Sequence, residues 1–172
     1  MPLQVLYLDF DGVLHHDAVY RNLRRGIYVS QSEAPGRTLF EWVQPLVDAL
    51  APYPDVRIVL STTWVRSLRY SRALERLPAT LQARAIGSTY HSRVHDPRLT
   101  LGSHAQYTRL RGEEVMADVA RRRPDRWIAV DDTDEGWPDE ARRHLGLCHS
   151  DRGLGDADTR DRLVAALESH FR

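Results

Sequence analysis

Apolar residues in this chain fall into two patterns, short continuous runs and helical stripes, and the two take turns. The run through Val5, Leu6, Tyr7 and Leu8 predicts a buried first strand over residues 3–9. Residues 15–37 are polar and rich in turn formers, which predicts a loop with a short hairpin. Leu39, Val43, Leu46, Val47 and Leu50 share one side of a helix over 39–50, with Pro45 as a kink or a weakness. Pro52 and Pro54 lead into a second strand over 56–60, and a helix over about 65–77 stops before Pro78. Residues 83–89 read as a third strand. A helix over 113–122 has acids in its first turn, arginines at its end, and Val115, Met116, Val119 and Ala120 as its apolar stripe. Strands follow at 127–130 and 145–148. A last helix is capped by Asp158 or Thr159 and packs Leu163, Val164, Leu167 and Phe171.

Alternating strands and helices, with strands apolar on both faces, predict a mostly parallel sheet covered on both sides. The fold class is three-layer, Rossmann-like α/β. At 172 residues the chain suits one domain, spanning 1–172, and it shows no internal repeat. In such sheets ligands collect beyond the carboxyl ends of the strands. Three of those ends carry polar groups: Asp9 and Asp11 after the first strand, Ser61, Thr62 and Thr63 after the second, and Asp131 and Asp132 after the fourth.

Asp9 and Asp11 are two residues apart, so they can converge on one small volume as the chain enters the turn at Gly12. Two carboxylates held near a sheet edge repel unless a proton or cation lies between them. Magnesium suits that place, because it prefers oxygen ligands and keeps part of its water. One carboxylate can then attack phosphorus while the other carries a proton.

Composition changes this picture little. Formal net charge is zero, so bulk electrostatics announce neither nucleic acid nor membrane. All 24 basic residues are arginine, so any cationic side chain at the site must be arginine, with its planar fork, or histidine. Cys148 stands alone in an apolar stretch and reads as a buried, inert thiol. No apolar run reaches the roughly 20 residues of a membrane span. Asp9 interrupts the apolar start before signal-peptide length, and a cytoplasmic location is the expectation. His15 and His16 read as ordinary loop histidines, with an approach to substrate as the alternative. His91, His95 and His104 do not match zinc spacing.

The ordered set of motifs resembles the phosphatase branch of the haloacid dehalogenase (HAD) superfamily. Leu8-Asp9-Phe10-Asp11-Gly12-Val13-Leu14 resembles its first motif, Ile58-Val59-Leu60-Ser61 its second, and Val130-Asp131-Asp132 its fourth. Order and spacing agree over about residues 3–135. Ser61-Thr62-Thr63-Trp64, the Arg111-x-x-Glu114-Val115 start and the run from Trp127 to Asp132 resemble the small HAD domain associated with RNA-repair proteins, as does the tail from Gly153. The third motif, commonly lysine, falls to Arg111, with Arg109 as runner-up.

The resemblance implies a magnesium-dependent phosphatase working through an aspartyl-phosphate. Asp9 would be the nucleophile and Asp11 the acid and base. Ser61, Thr62 and Arg111 would bind the phosphoryl group. Asp9, Asp11 (through its carbonyl), Asp131 and Asp132 would hold magnesium, with Asp132 acting from behind its neighbour as the alternative. A dehalogenase is disfavoured, because halide displacement has no use for an acid at Asp11. Family members acting on small metabolites usually carry a cap, and here segments 15–37 and 88–108 leave room for little or none. Those segments interleave Arg21, Arg24, Arg25, Arg93, Arg98 and Arg109 with Tyr20, Tyr28, Tyr90 and Tyr107, which suits a phosphorylated nucleic-acid or nucleotide end. The alternatives are a small-metabolite phosphomonoesterase and a non-catalytic metal- or phosphate-binding regulatory domain. Protein partners and oligomeric state are not legible.

Overall fold

The computed structural model describes residues 1–91 and 110–172. In chain order its strands are β1 (Gln4–Leu8), β2 (Val19–Asn22), β3 (Gly26–Val29), β4 (Arg57–Leu60), β5 (Ala85–Ser88), β6 (Arg126–Asp131) and β7 (Leu145–Leu147). Five of them form one parallel sheet in the order β5-β4-β1-β6-β7. The other two pair antiparallel as the hairpin expected in the first loop. The helices are α1 (Val43–Leu50), α2 (Trp64–Leu68), α3 (Tyr70–Leu74), α4 (Ala79–Gln82), α5 (Arg111–Arg122) and α6 (Ala157–Phe171).

The three layers follow from the period of two along each strand. Leu6 and Leu8 of β1, Ile58 and Leu60 of β4, and Ile128 and Val130 of β6 face one core. That core is closed by Leu46 and Leu50 of α1, Trp64 and Val65 of α2, and Leu163, Leu167 and Phe171 of α6. The intervening residues Val5, Tyr7, Val59, Trp127 and Ala129 face a second core under Val115 of α5, with Trp137 and Ala141. Strands apolar at every position therefore sit where neither face meets water, which accounts for their continuous runs in the sequence.

The helices depart from the sequence expectation in their ends and in their buried faces. The helix expected over 39–50 begins at Val43, which puts Pro45 in its first turn, where a missing N–H costs no intrahelical bond. The helix expected over 65–77 is broken at Arg69, whose φ of 72° and ψ of 158° lie in a region that almost only glycine adopts. Leu68 and Tyr70 would lie on opposite sides of a continuous helix, and the break lets both pack on the same core. Such a conformation costs about 1–3 kcal/mol. Burying a large apolar side chain gains roughly 1.5–3 kcal/mol, so two partly buried ones can offset it.

In α5, Ala120 is exposed, while Glu114 and Asp118 are buried beside Val115. The inward face of that helix is thus partly ionic. The last helix is capped by Asp156, not by Asp158 or Thr159: its Oδ2 accepts from the Thr159 N–H at 3.0 Å and from the Thr159 hydroxyl at 2.9 Å. Val164 stays 43% exposed, because Leu163, Leu167 and Phe171 already fill the buried stripe.

The hairpin of β2 and β3 is the one addition in the first long connection, and Arg21 ties it to α2 by donating to the Ser67 carbonyl at 3.0 Å. Most of segment 88–108, with Arg93, Arg98, Tyr107, His95 and His104, lies outside the described residues, as does Arg109. Among the described residues no helix is long and apolar enough to cross a membrane.

Candidate active site

Parallel register brings the three polar strand ends together. Leu8 pairs with Leu60 on one side and Val130 on the other. The ladder runs one residue past these pairs: the Ser61 N–H donates to the Leu8 carbonyl at 2.8 Å, and the Asp9 N–H donates to the Val130 carbonyl at 3.1 Å. Ser61, Asp9 and Asp131 therefore stand side by side at the carboxyl rim of the sheet.

Asp9 is 4% exposed and Asp131 is 1% exposed. Asp9, Asp131 and Asp132 each place one carboxylate oxygen within 4.8 Å of the others. Arg111, at the start of α5, lies between two of them, with its Nη2 3.4 Å from Asp9 Oδ2 and its Nε 3.3 Å from Asp131 Oδ2. Three acids facing one arginine leave the group negative. Burial pushes all three carboxyls above the usual carboxylate range. For Asp9 the Arg111 charge opposes this and the Asp11 charge adds to it; for Asp131 the Asp9 charge adds to it. Asp132 is raised to about 7, first by burial and then by the Asp9 charge. A hard divalent cation suits this donor set: it would replace the protons these acids otherwise need, with oxygen ligands only.

Smaller contacts hold the acids in place. Asp9 Oδ1 accepts from the Phe10 N–H at 2.7 Å. Thr62, expected at the phosphoryl group, is buried, and its hydroxyl accepts from the Trp64 N–H at 3.4 Å. Asp131 Oδ1 accepts from the Thr133 N–H at 3.1 Å. Gly12 has φ +68°, and a Cβ built there would fall 2.2 Å from Asp132 Oδ2, so glycine is required on both counts. The Ser61 hydroxyl is buried with no hydrogen-bond partner among the described residues. Orphaned buried hydroxyls are rare because they cost free energy, and this one stands at the rim where a ligand oxygen would satisfy it.

Asp11 lies apart from the three-carboxylate group. Its Oδ1 accepts from the Trp64 indole N–H at 2.7 Å and meets His15 Nε2 at 2.9 Å. His15, read from the sequence as a loop histidine, is fully buried. Glu114 is a second residue the sequence reading undervalued. It is 6% exposed; one oxygen is bonded to Arg66, and the other lies 3.8 Å from Arg111 Nη1. Its spacing of three from Arg111 on a helix was the available signal. Asp134 is half-exposed and paired with Arg142, away from the acidic group. Cys148 is buried with its thiol pushed up to about 12 by burial, in keeping with an inert role.

Comparison with solved structures gives a HAD-like phosphatase candidate from Mesorhizobium loti, 17% identical, with a TM-score of 0.46, over 99% of this chain and 88% of that one. A likeness so distant carries no functional argument. Comparison with curated proteins gives no significant match. The family model for the HAD domain in Swiss Army Knife RNA repair proteins matches residues 5–159. That span holds the strand-end acids, Ser61 and Arg111, and the chain belongs to this HAD domain family.

Proposed function

We propose that this domain is a magnesium-dependent phosphatase that transfers a phosphoryl group to Asp9 and then to water. The observation that carries the reading is the buried, unpartnered Ser61 hydroxyl standing beside Asp9 in the same rim as three carboxylates and Arg111. An Asp9 oxygen attacks phosphorus, and the bond from phosphorus to the leaving oxygen breaks. Asp11 gives its proton to that oxygen. A water then attacks the aspartyl-phosphate, Asp11 takes a proton from it, and the Asp9 carboxylate is restored. Ser61, Thr62 and Arg111 hold the phosphoryl oxygens, and Arg111 offsets charge that builds on them. Asp9, Asp131 and Asp132, with the Asp11 carbonyl, are the residues that would hold magnesium. The ion supplies charge neutralisation for the nucleophile and the phosphoryl oxygens.

We further infer that the substrate is a phosphorylated nucleic-acid or nucleotide end. The family's tie to RNA repair supports this. So does the hairpin beside α2, which carries Arg21, Arg24 and Arg25 with Tyr20 and Tyr28, Arg25 lying over the Tyr28 ring. A screen with magnesium tests both levels, comparing 3′- and 5′-phosphorylated oligonucleotides with free nucleotides and sugar phosphates. Preference for the oligonucleotides is expected. Preference for sugar phosphates would make this a small-phosphoester enzyme. Metal binding without hydrolysis of any of them would leave a regulatory domain.

A further inference from the structure

We propose that His15 and Trp64 are positioning residues for Asp11, clamping one of its oxygens so that the other meets the substrate. The proposal rests on the phosphatase reading above. Asp11 Oδ1 receives the indole N–H of Trp64 at 2.7 Å and lies 2.9 Å from His15 Nε2. The role of the histidine follows from its other nitrogen. His15 Nδ1 accepts the Phe40 backbone N–H at 3.2 Å, so a neutral ring carries its hydrogen on Nε2 and donates it to Asp11. Oδ1 thus faces two donors, while Oδ2 has no partner among the described residues. The oxygen available to exchange a proton with the leaving group is Oδ2.

The surroundings keep this clamp rigid. The His15 side chain is fully buried and Trp64 is 2% exposed, whereas the Asp11 side chain keeps 29% of its exposure. His15 packs edge-on against Phe40 with ring centres 4.8 Å apart and lies 5.7 Å from the Trp64 ring. Phe10, from the first motif itself, closes the cage against Phe40 and Trp64 at 5.3 and 5.8 Å. Phe40 has φ +60°, an uncommon conformation for a bulky residue. That conformation is the one in which its N–H meets His15. The first loop and the first residue of α2 thus converge on one carboxylate oxygen, and the turn before α1 holds the histidine.

A positioning role differs from a packing role in what it does across substrates. A general acid matters when the leaving oxygen is basic and little when it departs readily as an anion. The test measures kcat/KM for a series of aryl phosphates from p-nitrophenyl phosphate to phenyl phosphate, with magnesium. His15→Leu and Trp64→Phe should each lose about 10- to 100-fold on phenyl phosphate and only a few-fold on p-nitrophenyl phosphate. His15→Gln keeps an N–H near the Nε2 position and should recover most of the loss. An equal fall across the series would reduce both residues to packing and overturn the proposal. Should His15→Leu fail to fold, Trp64→Phe decides alone. A wild type inert toward every member would remove the phosphatase reading and this assignment with it. An active wild type with flat variants removes this assignment only.

Discussion

Gly12 links backbone and chemistry at a single residue. Its positive φ and the closeness of Asp132 Oδ2 leave no place for a side chain. Gly12→Ala should push Asp132 out of the acidic group and lose most of the magnesium-dependent rise in melting temperature while the sheet stays folded. Circular dichroism with and without magnesium checks this, and an unchanged rise would show that Asp132 is dispensable. Arg111 brings a positive charge among the acids. It stands within 3.4 Å of Asp9 and 3.3 Å of Asp131. Arg111→Met keeps the apolar stem and removes the fork, and kcat/KM should fall about 100-fold or more if the guanidinium offsets charge in the transition state. The strand-end acids were legible because a carboxylate at the end of an apolar run has few structural uses. The contacts of His15 with Phe40, of Trp64 with Asp11 and of Glu114 with Arg66 were not, because each joins residues that only folding brings near. His15 meets Phe40, 25 residues away, and Trp64 meets Asp11, 53 residues away.

Among the elements, strands were legible and helix ends were not, for a physical reason. A strand buried on both faces must be apolar at every position, and few other structures demand that. A helix end is a choice among near-equal caps. Asp156, Asp158 and Thr159 all offer side-chain acceptors, and the geometry of the preceding 3₁₀ turn at Gly153–Gly155 selects Asp156. The break between α2 and α3 is tertiary in origin, since nothing in the local sequence marks Arg69 as a breaker. It makes a prediction at this scale. Arg69 is exposed and holds a backbone conformation suited to glycine. Arg69→Gly should therefore stabilise the protein by about 1 kcal/mol, or roughly 2–4 °C in melting temperature. A destabilised variant would mean that the Arg69 side chain contributes more than the strain costs.

For the whole molecule, the sheet forces acids into a buried rim, and their charge ties stability to pH. In the native state Asp132 titrates near 7, against 3.8 as its ordinary value. Between those values the folded protein binds more protons than the unfolded chain, so without metal its stability falls as pH rises through that window. Asp9 and Asp131 are shifted in the same direction and add to the trend. Magnesium held by these acids would take the place of the protons. Its stabilising effect should be small near about pH 5 and larger near about pH 8, as read by thermal unfolding at each pH. An equal effect at both would argue against binding by these acids.

The most direct measurement is the mass of the protein, acid-quenched during turnover of p-nitrophenyl phosphate with magnesium and then mapped by peptide. The expected result is one added phosphoryl group on the peptide containing Asp9, absent without magnesium and absent in Asp9→Asn, which should also lose all turnover. A phosphoryl group on any other residue, or magnesium-dependent hydrolysis that persists in a folded Asp9→Asn protein, would contradict it.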